Sequence, residues 1–239
     1  MENDSQQGVG ATGESSNNQP PLPPQSNAGK YIGIGCLVIV LIFIGLGYAS
    51  YRAVVGFMES TVGEYTDVEA RELPQPLASV SESAVTLDKF DDFLSSVKND
   101  VAVEPLEVDA EQINQIINYH PDFAGIADHI FIKINDNLLF AEVSIPLDQL
   151  KEINEMFVGR FLNGAVELDV ELKSQRFEVY AESIEVNGKQ VPEEYMSQLR
   201  SENLAKNFNK KQENKELVKK LESIKISDGI VTVIPKNRK

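Results

Sequence analysis

Residues 164–190 read GAVELDVELKSQRFEVYAESIEVNGKQ, and the spacing of their apolar side chains decides the fold class. Val166, Leu168, Val170 and Leu172 fall on one face, while Glu167, Asp169 and Glu171 fall on the other. That two-residue period belongs to a strand with one side buried and one side in water. Downstream, Phe177, Val179 and Ala181 keep the phase, and Ile184 and Val186 then slip by one. A single extra residue near Glu182 and Ser183, a β-bulge, accounts for the slip. Asn187-Gly188 closes the stretch with the pair that a type I′ hairpin turn prefers.

The same period extends upstream. HIFIKIND (129–136) and NLLFAEVSIP (137–146) are two further strands about an Asn/Asp-rich turn at 135–137, and a short helix is expected over 147–157, after Pro146. VAVEPLEV (101–108) reads as a strand, and 83–99 reads as a helix with Leu87, Phe90, Leu94 and Val97 on one stripe. Asp109 and Gln112 make a capping-box pattern for a helix whose apolar face is Ile113, Ile116 and Ile117. Pro192 opens a helix expected to run to about Glu222, with a weak point at 207–209. SIKISDGIVTVIP (223–235) gives two short strands about Asp228-Gly229.

Strands joined by such tight turns pair antiparallel. The expected fold is therefore α+β: an antiparallel sheet over 81–235 with one wet, acidic face and helices packed on the other, followed by a basic tail at 236–239. There is no repeating βαβ pattern and no glycine-rich phosphate loop.

The chain has 239 residues and a net charge of −15, unevenly distributed. Residues 52–205 carry eleven basic and thirty acidic side chains, whereas 206–239 carry ten basic and four acidic. An acidic body repels phosphate backbones, so nucleic acid is not an expected partner. The basic segment 206–220, which holds Phe208, Leu217 and Val218 among its lysines, either lies on anionic headgroups or pairs with the acidic body. The single cysteine, Cys36, leaves the domain without a thiol, which excludes cysteine nucleophiles and thiolate metal sites there.

Residues 1–29 are rich in Gln, Asn, Ser, Gly and Pro and are expected to be disordered; within them QPPLPPQ (19–25) favours polyproline II. Tyr31 to Ala49 contains no charge, and nineteen helical residues cover about 28 Å of a ~30 Å bilayer core. We read 30–51 as a retained transmembrane helix and 52–80 as a juxtamembrane helix and proline-containing linker. Cleavage after Ala49 is the alternative, since Gly47 and Ala49 have the small size signal peptidase needs. Cys36 precedes the apolar run instead of following it, so it is not a lipidation site. Flanking charges give no orientation; the thiol-free domain favours a cytoplasmic N-terminus with the domain outside.

Among candidate functional residues, His120 and His129 are the only histidines and have Asp122 and Asp128 beside them. Imidazole and carboxylate could serve a metal or an acid–base step, but no third ligand can be named, and no metal or cofactor is assigned. Tyr119-His120-Pro121-Asp122 resembles the signature of J-domain co-chaperones, although the preceding helix has none of the lysines or arginines that family uses. Glu167, Asp169 and Glu171 could hold a divalent cation loosely or form a solvated face. Arg160 and Asn163 sit in VGRFLNGA (158–165), at an expected helix-to-strand junction. Arg160 either pairs with an acid of the body or receives a ligand anion or partner carboxylate.

GRFLNG (159–164), EVNGKQVPEEY (185–195), SENLA (201–205) and SIKISDGIVTV (223–233) together resemble uncharacterised bacterial single-pass envelope proteins over about residues 100–235. The resemblance implies a location and an architecture, and no activity. The expectation is a membrane-tethered, non-enzymatic envelope domain that binds a partner protein or an apolar, lipid-like ligand. Two alternatives stay open: an envelope enzyme with a His/carboxylate site near His120 and His129, and an assembly subunit acting through small-residue patterns in its anchor, Gly29 with Gly33 and Gly45 with Ala49.

Overall fold

The computed structural model describes residues 65–152 and 155–236. The N-terminal tail, the expected span, its small-residue patterns and the cleavage alternative lie outside them. Among the described residues, no helix is long and apolar enough to cross a membrane.

In chain order the elements are α1 (Ala84–Lys98), β1 (Leu106–Asp109), α2 (Ala110–Tyr119), β2 (Ile130–Asn135), β3 (Leu138–Pro146), β4 (Phe161–Lys173), β5 (Arg176–Val186), β6 (Lys189–Gln190), α3 (Glu193–Ser201), α4 (Gln212–Lys219), β7 (Leu221–Ser227) and β8 (Ile230–Pro235). The class is α+β and every strand pairing is antiparallel, in agreement with the sequence. The single sheet expected from the tight turns is corrected to two. One has five strands in the order β2-β3-β4-β5-β6, and the other has three in the order β1-β8-β7. The C-terminal hairpin does not extend the large sheet. It takes β1 as its third strand, with Leu106 opposite Val233 and Val108 opposite Val231.

Both sheets and the helices share one core. Phe90, Phe123, Phe177 and Phe208 are fully buried in it, together with Ile117 of α2, Leu168 of β4 and Val233 of β8. The β4–β5 pairing shows the expected bulge. Glu167 faces Ser183 and Leu168 faces Ala181, so Glu182 is the extra residue. Asn187-Gly188 and Asp228-Gly229 both have the two positive φ angles of a type I′ turn. A third such turn, Ser174-Gln175 between β4 and β5, has φ of 51° and 59° without any glycine.

Three element boundaries depart from expectation. The strand sought from Val101 begins only at Leu106, directly after Pro105, which has no N–H to give a ladder. The helix sought over 147–157 is replaced by 3-10 turns at Asp148–Leu150 and Glu155–Phe157. An eleven-residue helix would hold its ends about 16 Å apart, but the β3–β4 pairing continues past Pro146 to a Leu147 N–H to Arg160 carbonyl bond. Leu147 and Phe157 are buried in one small satellite core. The long helix sought after Pro192 is cut into α3, two 3-10 turns at Leu204–Lys206 and Phe208–Lys210, and α4.

Asparagines explain that last break. Asn203 Oδ1 accepts the amides of Ala205 and Val179, and its Nδ2 donates to the Phe177 carbonyl. Asn209 takes both backbone groups of Phe177, donating to its carbonyl at 2.7 Å and accepting its amide at 3.1 Å. Beyond the two residues paired with β6, β5 is an edge strand. Asparagine side chains satisfy its exposed edge and in doing so compete with continuous helix.

Candidate functional site

Residues 66–71 belong to the linker by sequence, yet they are hydrogen-bonded to the end of the large sheet. Asp67 and Phe161 exchange both backbone bonds, at 2.9 and 2.8 Å. Arg160, which precedes β4, donates Nη2 to the Thr66 carbonyl at 3.0 Å and Nε to the Thr66 hydroxyl. Asn163 on β4 is 5% exposed. Its Oδ1 accepts the Arg71 amide at 3.0 Å and the Ser144 hydroxyl at 2.9 Å, and its Nδ2 donates to the Glu69 carbonyl at 2.9 Å. The binding candidates Arg160 and Asn163 therefore come together, and both hold the chain's own linker.

Further along, Glu111 of α2 accepts the amides of Leu77 and Ala78, and the Tyr119 hydroxyl donates to the Ala78 carbonyl at 3.0 Å. The linker is thus pinned at two places, on β3–β4 and on α2. Close in sequence to the first pin lie Val68 and Val158, both more than half exposed.

His120 follows α2 and packs edge-on against Phe90 and Phe123, with centroids 5.5 and 5.6 Å away. Its Nδ1 accepts the Asp122 amide at 3.2 Å, and its Nε2 lies 3.1 Å from Asp91 Oδ1. With Nδ1 accepting, Nε2 carries the proton and donates to Asp91. Both ring nitrogens are engaged, so the His-Pro-Asp tripeptide acts as the cap of a 3-10 turn at Pro121–Phe123. His129 ends a separate 3-10 turn just before β2. Among the described residues, no group of three or more His, Cys, Asp or Glu side chains could hold a metal ion.

The outer face of the large sheet is acidic, as the alternation of β4 implies. Glu171 and Glu178 both reach Lys173, at 3.4 and 4.0 Å, and Glu171 above all raises the affinity of that ammonium for its proton. Glu142 pairs with Lys133 at 2.6 Å, and Glu167 accepts the Ser183 hydroxyl at 3.1 Å. Burial, followed by the charge of Glu178, pushes the Tyr180 hydroxyl above its ordinary value.

At the opposite end of β4 from the linker lies a cavity of about 680 Å³. Arg176 at the start of β5, Lys206 and Lys210 on the 3-10 turns, and Lys215 and Lys219 on α4 line it, and no carboxylate does. Sequence reading had the lysines as one face of a helix and could not place Arg176 with them. The run of asparagines at 203, 207 and 209 was the available signal, since it marks where the helix breaks to wrap the cavity.

Compared with known proteins, the chain matches no family model, no curated protein and no solved structure.

Proposed function

We propose that this chain is a non-enzymatic binding domain of the cell envelope, tethered to the membrane by a single span at residues 30–51 with its N-terminus cytoplasmic. The observation that carries the reading is the pinned linker. From Thr66 onward the chain that follows the apolar stretch is fixed to one end of the sheet by Arg160 and Asn163, so the domain meets its linker at a defined place. Val68 and Val158, exposed near that attachment, suit the boundary of a bilayer, where isolated apolar side chains are tolerated.

A lipid-like ligand between sheet and helices has no support from the described core, because Phe123, Phe177 and Phe208 fill it. The reading therefore favours a polar ligand or a protein partner. The enzyme alternative is not favoured either, since His120 has no free ring nitrogen.

Two measurements on the full chain test the tether. After alkaline carbonate extraction of expressing cells, the protein is expected in the membrane pellet. With Cys36→Ser as background and Lys225→Cys as the only thiol, a membrane-impermeant maleimide is expected to label intact cells. Release into the carbonate supernatant would refute the span, and labelling only after lysis would refute the orientation.

A further inference from the structure

The geometry points to the cavity lined by Arg176, Lys206, Lys210, Lys215 and Lys219 as a binding site for a hydrophilic ligand carrying two or more phosphate groups. The inference deepens the proposed binding function by naming the chemistry of the ligand, and it stands on features independent of the tether.

The first feature is charge. In a chain of net charge −15, five cations converge on one cavity with no carboxylate among its lining residues. Two of them have acidic neighbours close in sequence: Lys206 lies 3.4 Å from Glu202, and Lys219 lies 2.9 Å from Glu216. Among the described residues Lys210 reaches the Asn207 amide oxygen, at 3.4 Å, and no carboxylate. Arg176 and Lys215 have no ion-pair partner among the described residues. By contrast Lys220, in the same basic segment, is fully engaged by Asp100 and the Lys98 carbonyl. Like charges gathered around a shared space repel, and a polyvalent anion placed in that space relieves the repulsion.

The second feature is construction. Lys215 and Lys219 share one face of α4, but Lys206 and Lys210 are not part of that helix. Asn203 and Asn209, which also line the cavity, bolt the 3-10 turns to Phe177, so Lys206 and Lys210 stand over the β4–β5 turn that supplies Arg176. A guanidinium and several compact ammonium groups suit phosphate oxygens, the first by paired donors and the others as point charges.

The third feature is what the lining lacks. It holds no aromatic or large apolar side chain, so there is nothing for a nucleobase to stack on, which disfavours single-stranded nucleic acid. The cavity's volume of about 680 Å³ is of small-molecule size, and its cations are open to water, which suits a hydrophilic ligand.

Position bears on the source of the phosphates. Phe161, where the linker docks, and Lys173, beside the cavity, are the two ends of β4. A strand of that length spans about 40 Å, several Debye lengths at physiological salt. A cavity so far from the linker end is poorly placed for the headgroups around its own anchor, and a soluble phosphate ester or a headgroup on another surface fits better.

The test uses the full chain in nanodiscs of uncharged phosphatidylcholine. Inorganic pyrophosphate is titrated calorimetrically, and separate vesicles containing cardiolipin, whose headgroup carries two phosphates, are offered in a flotation assay. Saturable pyrophosphate binding is expected, weakened about tenfold or more in Arg176→Gln and in Lys210→Gln/Lys215→Gln, and unchanged in Lys225→Gln, whose lysine lies on β7 away from the cavity. Thermal unfolding of each variant identifies any that have lost the fold, and the charge-neutral Arg176→Lys change is expected to restore part of the affinity. Vesicle capture lost in the same variants would assign the phosphates to a lipid headgroup; pyrophosphate binding without capture would assign them to a soluble ester. Absence of both, equal binding by the variants, or preference for a polyglutamate peptide over pyrophosphate would overturn the proposal. A soluble protein after carbonate extraction would remove the tether and leave this titration unaffected.

Discussion

Asn114 of α2 pairs with both backbone groups of Ile132 on β2: its Nδ2 donates to the Ile132 carbonyl at 2.7 Å, and its Oδ1 accepts the Ile132 amide at 2.8 Å. Because β2 is the outer strand of the five-stranded sheet, one buried side chain does there what a sixth strand would do. Asn209 repeats the arrangement on Phe177, and Asn163 repeats it on the linker. In each case the two amide atoms of the side chain meet one carbonyl and one N–H, so a short polar residue joins a helix or an irregular segment to a sheet.

Asn114→Ala leaves the Ile132 amide and carbonyl buried without partners. Asn114 is 1% exposed, so water cannot replace it, and the change is expected to destabilise by about 2–4 kcal/mol. Urea unfolding followed by circular dichroism reads this as a lower midpoint. Asn118→Ala, which removes a single bond to the Asn114 carbonyl on the same helix, is expected to cost distinctly less; equal costs would refute the edge role of Asn114.

Asn163→Ala is expected to loosen the linker around Glu69 and Arg71 while the sheet persists. Hydrogen exchange at the Arg71 amide should accelerate, and trypsin should cut after Arg71 sooner than in the parent protein. Protection unchanged at that amide would mean that Ser144, whose hydroxyl also accepts it at 3.1 Å, suffices to hold Arg71.

Gly164 lies where β4 passes close to β5. A Cβ there would stand 2.6 Å from the Glu185 backbone oxygen, and a backbone atom cannot turn aside as a side chain would. Gly164→Ala is expected to destabilise by about 1–3 kcal/mol, read as a drop in Tm, whereas Gly125→Ala, with nothing near its added carbon, serves as the tolerant comparison.

Gln175 occupies the left-handed region at φ 59°, where a side chain costs about 1–2 kcal/mol relative to glycine. Glycine also gains more freedom in the unfolded chain, which offsets part of the relief. Gln175→Gly should therefore stabilise by up to about 1 kcal/mol in the same unfolding experiment, and a loss of stability would refute the strain.

Tyr180 titrates above 10 in the folded protein, chiefly because burial disfavours its phenolate and secondarily because Glu178 lies near it. A pKa raised by folding contributes stability that is complete below the unfolded value and disappears as pH rises through the folded one. The absorbance difference at alkaline pH between the parent and Tyr180→Phe is expected to give a midpoint above 10, and Glu178→Gln should lower it. A midpoint below 10 would contradict the assignment.

Local structure was legible where one residue type has one local solution. Asn187-Gly188 and Asp228-Gly229 form the turns their φ preferences demand. Asp109 and Gln112 exchange the two bonds of the capping box, at 2.8 and 3.1 Å. The slip between Ala181 and Ile184 is the bulge that the alternation required. Candidate site residues were less legible. Arg160 and Asn163 stand out in the sequence as polar groups in apolar surroundings, but their partners, Thr66 and Arg71, lie far upstream, and residue type alone cannot tell a ligand from a linker. The cavity was missed because its five cations come from three segments, and 206–219 reads as helix until Asn203 and Asn209 are seen on Phe177.

What the sequence by itself determined is thus the set of strands, their inward and outward faces and their tight turns, because periodicity and backbone sterics act within a few residues. What only the tertiary structure decided is partnership: that β8 takes β1 and not the large sheet, that asparagines finish both edges of that sheet, and that Arg176 meets the lysines of a broken helix. Alternation specifies which side of a strand is apolar, and any apolar face can satisfy it. Which face does so depends on how all the elements fill one core together.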